Sequence, residues 1–91
     1  MAIIVHFTPK GMSDAKYAEV LRRLEKAGAG APPGRLHHTS YGPKEALEVV
    51  DVFDTPASFE AFGRTLVPIL GELGIDVGRP SVAEVHNIIR G

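Results

Sequence analysis

Two periods of hydrophobic and polar residues run through this chain, and the change from one to the other is sharpest across residues 47–73, LEVVDVFDTPASFEAFGRTLVPILGEL. Residues 47–53 are aliphatic and β-branched, interrupted only by Glu48 and Asp51, which predicts a central strand covered on both faces. Thr55 and Pro56 mark a helix start: a hydroxyl caps free N–H groups, and the proline stands where no N–H is needed. Phe59, Phe62, Leu66, Ile69, Leu70 and Leu73 then recur at helical spacing and form one apolar stripe. Gly74 ends the helix, Ile75 is placed to fold back on its last turn, and Pro68 within it predicts a kink.

The other elements follow from the same signals. Residues 2–7 read as a strand and residues 8–12, with Pro9 and Gly11, as a loop. Ser13 is a helix cap with Asp14 in the first turn, and Tyr17, Val20, Leu21, Leu24 and Ala27 form the stripe of a first helix. The run GAGAPPG at residues 28–34 can be neither helix nor sheet. Residues 35–41 make a second strand, 42–45 a turn, 76–80 a loop and 81–89 a last strand. The order strand, helix, strand, strand, helix, strand predicts an α+β, ferredoxin-like domain: a four-stranded antiparallel sheet with both helices on one face. Its second face still carries Val, Ile and Phe, so two copies are expected to pack face to face as a homodimer with a barrel-like core.

Length and charge narrow the function classes. Residues 1–91 make one domain, near the small end of what buries enough apolar surface alone. Ten basic and 11 acidic side chains give a net charge of −1 without long runs, no footprint for nucleic acid or an anionic membrane. With no cysteine, disulfides and thiolate metal sites are excluded, and a reducing cytoplasm is the expected home. The opening MAIIVHF is too short for a signal-peptide core or a spanning helix.

The strand-to-helix join VVDVFDTPASFEAF, the later LVPILGELGI and the closing EVHNII resemble the dimeric α+β barrel superfamily across nearly the whole chain. That superfamily includes antibiotic-biosynthesis monooxygenase-like and stress-responsive barrel domains, and the likeness is greatest to small bacterial members without assigned function. The resemblance implies the barrel fold and a dimer. Phe53 stands where such members often carry tryptophan, and the histidine that haem-degrading relatives place near Phe62 is absent. Because this fold carries monooxygenases, isomerases, haem proteins and proteins without catalysis, the chemistry must be argued from side chains.

His6, His37, His38 and His86 all fall on expected strands. If Lys44 and Glu45 are the central residues of a tight hairpin, paired positions sum to a constant. Pro43 then lies opposite Ala46, Ser40 opposite Val49, His38 opposite Asp51 and Leu36 opposite Phe53. Directly opposite residues share a face, which makes His38 and Asp51 an imidazole–carboxylate pair that a one-residue slip would destroy.

Glu48 can reach the edge of its strand while Asp51 cannot, which assigns Asp51 to the barrel interior, away from the helices. Ile3, Val5 and Phe7 are expected under the helices, leaving Ile4 and His6 inward. In the last strand Val82, Glu84, His86 and Ile88 form the inward set, and Ala83, Val85, Asn87 and Ile89 the helix-side set. The expected site therefore joins His38, Asp51 and His86 as candidate catalytic groups with His6 and Phe53 as ligand-binding residues, in a pocket for a small apolar or aromatic molecule.

Three uses of these residues compete. The pocket could hold such a molecule without turnover. A histidine oriented by an aspartate could take an acidic proton from a phenolic or enolic substrate, as a cofactor-independent monooxygenase or isomerase requires. Or the pair is structural, since a buried carboxylate needs a partner, and the barrel is only a dimer core. No flavin motif, phosphate loop or metal spacing implies a cofactor, and adjacent His37 and His38 point to opposite faces, which disfavours a metal. Tyr17 and Tyr41 read as packing residues, Arg22, Arg23, Glu25 and Lys26 as a solvated helix face, and Arg35, Arg64, Arg79 and Arg90 as surface charge.

Overall fold

In a computed structural model that describes residues 1–91, the elements run β1 Ile3–Phe7, α1 Asp14–Lys26, β2 Arg35–Tyr41, β3 Glu48–Phe53, α2 Pro56–Glu72 and β4 Ser81–Glu84. The strands form one sheet in the order β2-β3-β1-β4, with every pairing antiparallel. This is the ferredoxin-like plan that the order of elements predicts.

Local chemistry sets the helix ends. The Ser13 hydroxyl accepts from the Lys16 N–H at the start of α1, and Thr55 accepts from Ser58 N–H at the start of α2, where Pro56 occupies the first turn. Pro68 lies inside α2, and the helix continues past it to Glu72. Gly74 follows with φ +69°, and Ile75 folds back: it is buried, and its N–H donates to Leu70 C=O.

The core lies between the sheet and the helices. Ile3, Val5 and Phe7 of β1 and Val49 and Phe53 of β3 meet Val20 and Leu24 of α1 and Phe62 and Leu70 of α2. Phe53 is fully buried, with ring centroids 5.5 Å from Phe59 and 5.8 Å from Phe62. No helix is long and apolar enough to cross a membrane.

Three sequence expectations need correction. Val5 pairs with Asp51 and Ile3 with Phe53, so Val49, Asp51 and Phe53 share the helix-side face with Ile3, Val5 and Phe7. Asp51 therefore does not face a barrel interior, because β1 and β3 are direct neighbours whose opposite residues must point the same way. In β4, Val82 pairs with Val5 and Ala83 with Ile4, so Val82 and Glu84 lie on the helix side and Ala83 on the open face, the reverse of the expected sets. Finally, β4 ends at Glu84 rather than near residue 89. Its one neighbour, β1, starts at Ile3, so pairing stops where Val85 N–H donates to Ala2 C=O. Val85 and residues 87–91 instead line a groove with Ile4, Leu36 and Val52 of the open face.

Candidate functional site

The β2–β3 hairpin builds the site. Ala46 N–H donates to Pro43 C=O across the expected turn, and the register runs Tyr41 to Glu48, Ser40 to Val49, Thr39 to Val50, His38 to Asp51 and His37 to Val52. Every one of these pairs obeys the hairpin rule read from sequence. His38 Nδ1 lies 2.5 Å from Asp51 Oδ1, and Tyr17 Oη, reaching down from α1, lies 2.6 Å from His38 Nε2. A carboxylate only accepts, so Nδ1 carries the hydrogen and donates to Asp51; when the imidazole is neutral, its Nε2 accepts from the Tyr17 hydroxyl. The Tyr17 and His38 rings lie parallel, with centroids 5.9 Å apart. Asp51 is only 2% exposed, yet no buried side-chain polar atom in the chain lacks a partner.

The register then breaks. Arg35, not Leu36, lies opposite Phe53, because a β-bulge between Arg35 and His37 inserts Leu36 as an extra residue. Without the bulge Arg35 and His38 would point to opposite faces, since their positions differ by an odd number. With it both line the same cleft on the helix side, while Leu36 and His37 both turn to the open face. The Arg35 guanidinium donates to Gly30 C=O at 3.1 Å and sits over the Phe62 ring, 5.8 Å from its centroid.

The cleft lies between β1, β2 and β3 and the two helices. It encloses about 490 Å³ counted to its mouth, but only about 40 Å³ is open to the centre of a water-sized sphere, so it is a slot. Apolar side chains, among them Phe7, Met12, Val20, Leu24, Phe62 and Leu66, make most of the wall, and its polar groups are Tyr17, Arg35, His38 and Asp51. A few polar groups converging in an apolar slot are the composition of a small-molecule site.

The expected site residues are thus divided among four places. His38 and Asp51 come together in the cleft as paired, though on the helix side of the sheet. Phe53 lies beneath it in the core, and the aromatic wall is Phe62. His6 is on the open face, where its Nε2 lies 2.8 Å from Glu48 Oε1 and 2.9 Å from the Tyr41 hydroxyl. His86 is exposed beyond the end of β4 and meets none of them. No group of three or more His, Asp or Glu side chains is arranged to hold a metal ion. Tyr17 and Arg35 were the residues missed: Tyr17 is on the sheet-facing stripe of α1, where a partner for His38 could be sought, but the bulge that turns Arg35 inward has no glycine to announce it.

On the open face Tyr41, His6 and Glu48 form a second tyrosine–histidine–carboxylate group, with the Tyr41 hydroxyl donating to Glu48 Oε1 at 3.2 Å. Partial desolvation, and next the Glu48 carboxylate, hold the Tyr41 hydroxyl above the usual tyrosine range.

No protein-family model matches the chain. A pH-response transcription factor of the pacC/RIM101 type from Hapsidospora chrysogena is 35% identical over 75 residues; the match covers 74% of this chain but 11% of that protein. The chain therefore spans about a tenth of the relative's length. Among solved structures, a cofactor-independent oxygenase from Streptomyces nogalater, SnoaB, superposes with a TM-score of 0.63 at 16% identity over 99% of this chain and 96% of its own. A putative antibiotic biosynthesis monooxygenase from Chloroflexus aurantiacus gives 0.65 at 18% identity over 98% and 95%. A structural-genomics protein, YjcS, gives 0.66 at 10% identity over 94% and 100%. The chain has the ferredoxin-like α+β fold shared by antibiotic biosynthesis monooxygenase-like proteins and YjcS.

Proposed function

We propose that this protein takes a small, flat, apolar molecule with an acidic hydroxyl or enolisable proton into the cleft between sheet and helices, and that His38, oriented by Asp51, removes that proton. The observation that carries this reading is the chain Tyr17–His38–Asp51 set into an apolar slot. Asp51 holds the imidazole in the tautomer whose Nε2 is free to accept, and Tyr17 stands between Nε2 and the cleft. The Tyr17 hydroxyl can pass its own proton to Nε2 as it takes the ligand's, so the net transfer is from ligand oxygen to imidazole. Forming an enolate or phenolate in this way is the step that a cofactor-independent oxygenase or an isomerase needs, and a structural neighbour is described as a cofactor-independent oxygenase. The residues this reading uses, Tyr17, His38 and Asp51, all come from one chain. A second copy packing on the open face would leave them intact, and we place a homodimer contact there.

4-Nitrophenol tests the reading, because its neutral and ionised forms absorb at different wavelengths. The wild type should bind it and ionise it at a pH where it stays neutral in buffer. His38→Gln, which can still donate to Asp51 but is a poor base, should keep the fold and lose the ionisation. Equal ionisation by both proteins, or no binding by either, would reduce the pair to a structural hydrogen bond.

A further inference from the structure

The cleft contains a cation that proton removal alone does not use. Arg35 is brought there by the bulge at Leu36, and Gly34 before it has φ +84°, a backbone conformation that a side-chain-bearing residue rarely adopts. A Cβ at Gly34 would lie 2.4 Å from Asp54 Oδ1 and Ser58 Oγ, and Asp54 N–H donates to Gly34 C=O, so the entry to β2 is held from the start of α2. A guanidinium has five N–H groups in a rigid fork. Here one nitrogen is engaged, by Gly30 C=O, and contact with the face of Phe62 keeps the guanidinium at the cleft wall.

Position decides what the fork can serve. Arg35 lies opposite Phe53 and His38 opposite Asp51, so the two side chains leave the sheet about 7 Å apart along β3. That is roughly the width of one substituted ring. Charge decides it too. The buried Asp51 already brings one negative charge to the apolar cleft, and a deprotonated ligand would add a second, strongly disfavoured at low dielectric. The imidazolium formed by proton transfer offsets the first, because its Nδ1–H bonds Asp51, and Arg35 is the cation left to offset the second.

We propose that Arg35 is the oxyanion receptor of this cleft: its free guanidinium N–H groups hold the oxygen of a phenolic or enolic ligand, and the charge collects there when His38 takes the proton. This rests on the reading of the cleft as a small-molecule site and names its ligand class, a one- or two-ring phenol or enol. In the step itself the O–H bond breaks, its electron pair stays on the ligand oxygen facing Arg35, and the proton ends on Nε2 of His38 through Tyr17. No electron changes hands.

Preformed 4-nitrophenolate, at a pH where the probe is fully ionised in buffer, separates Arg35 from the base, because no proton remains to be removed. Arg35→Gln should weaken its binding by about 10- to 100-fold, as expected for a lost charge-assisted hydrogen bond. Arg35→Lys should recover part of the loss, and the loss in His38→Gln should be at least several-fold smaller than in Arg35→Gln. All three variants should show the wild type's cooperative urea transition, which reports an intact fold, and their binding of 4-nitroanisole, which carries no charge to receive, should fall far less than phenolate binding does in Arg35→Gln. Equal phenolate binding by wild type and Arg35→Gln overturns the receptor while leaving the base reading standing. Ionisation of neutral 4-nitrophenol retained by His38→Gln overturns the base alone, and absence of binding of every probe by the wild type overturns both.

Discussion

Two tyrosine–histidine–carboxylate groups lie back to back across one sheet, and their surroundings assign them different work. In the cleft, Asp51 is buried and His38 is its one side-chain partner. His38→Leu should therefore destabilise the fold by about 2–3 kcal/mol in urea unfolding, since it strands a buried carboxylate. Asp51→Leu added to it should recover stability, because removing both members costs less than removing one. On the open face the order of effects is different. Tyr41 holds its proton to higher pH than an ordinary tyrosine, so the folded chain binds more protons than the unfolded chain above the ordinary tyrosine value of 10.0. The stabilisation is thus complete below that pH and lost as pH rises through the raised value. Ultraviolet titration of Glu48→Gln should move the Tyr41 ionisation down without restoring it fully, because desolvation is the larger cause and the carboxylate the smaller.

Elements differ in how far their own residues decide them. Helix α1 is decided locally, from its Ser13 cap to the exposed ladder in which Glu19 bonds Arg22 at 2.6 Å and Arg23 at 2.8 Å. Hydrogen bonds from these two guanidinium groups lower Glu19 to about 2. Their stabilisation is present above the ordinary glutamate value of 4.5 and lost as pH falls toward about 2. Melting curves should show Glu19→Gln less stable than wild type at neutral pH, with the difference vanishing in that acid window. The hairpin was equally legible: a turn at Lys44 and Glu45 fixes every pair out to His37 and Val52, and so brings His38 to Asp51. What a strand's own pattern could not supply was its surroundings. The face of β3 depends on Val5 lying opposite Asp51, the inward turn of Arg35 on a bulge, and the end of β4 on the length of β1. An aspartate in a hydrophobic strand looks like a residue that needs a polar interior; here the histidine of the next strand and the tyrosine of the helix above supply it within one chain.

For the molecule as a whole, the sheet divides two tasks. The helix side closes over the core and the cleft, and the other side presents Ile4 at 38% exposure and Leu36 at 42%, beside Ile88 at 44% and Ile89 at 88% in the segment that crosses it. A contiguous apolar patch of this kind on a small domain favours self-association, and a second copy of the same sheet is the matching surface. Residues 85–91 occupy only part of that face, so two copies can meet over Ile4, Leu36 and Val52, with the tails between or beside them. Burial there would enclose His6, Tyr41 and Glu48 as well, and their mutual hydrogen bonds leave them paired when water is removed. Sedimentation velocity at micromolar concentration should find the wild type dimeric and Ile4→Glu monomeric, because a charge at the centre of the patch cannot be buried without a partner. The same Ile4→Glu monomer should still bind 4-nitroanisole, since every residue that lines the cleft comes from one chain and from the opposite side of the sheet. Loss of cleft binding on dissociation would mean instead that the second copy holds the cleft in shape, and the two faces would then act as one site.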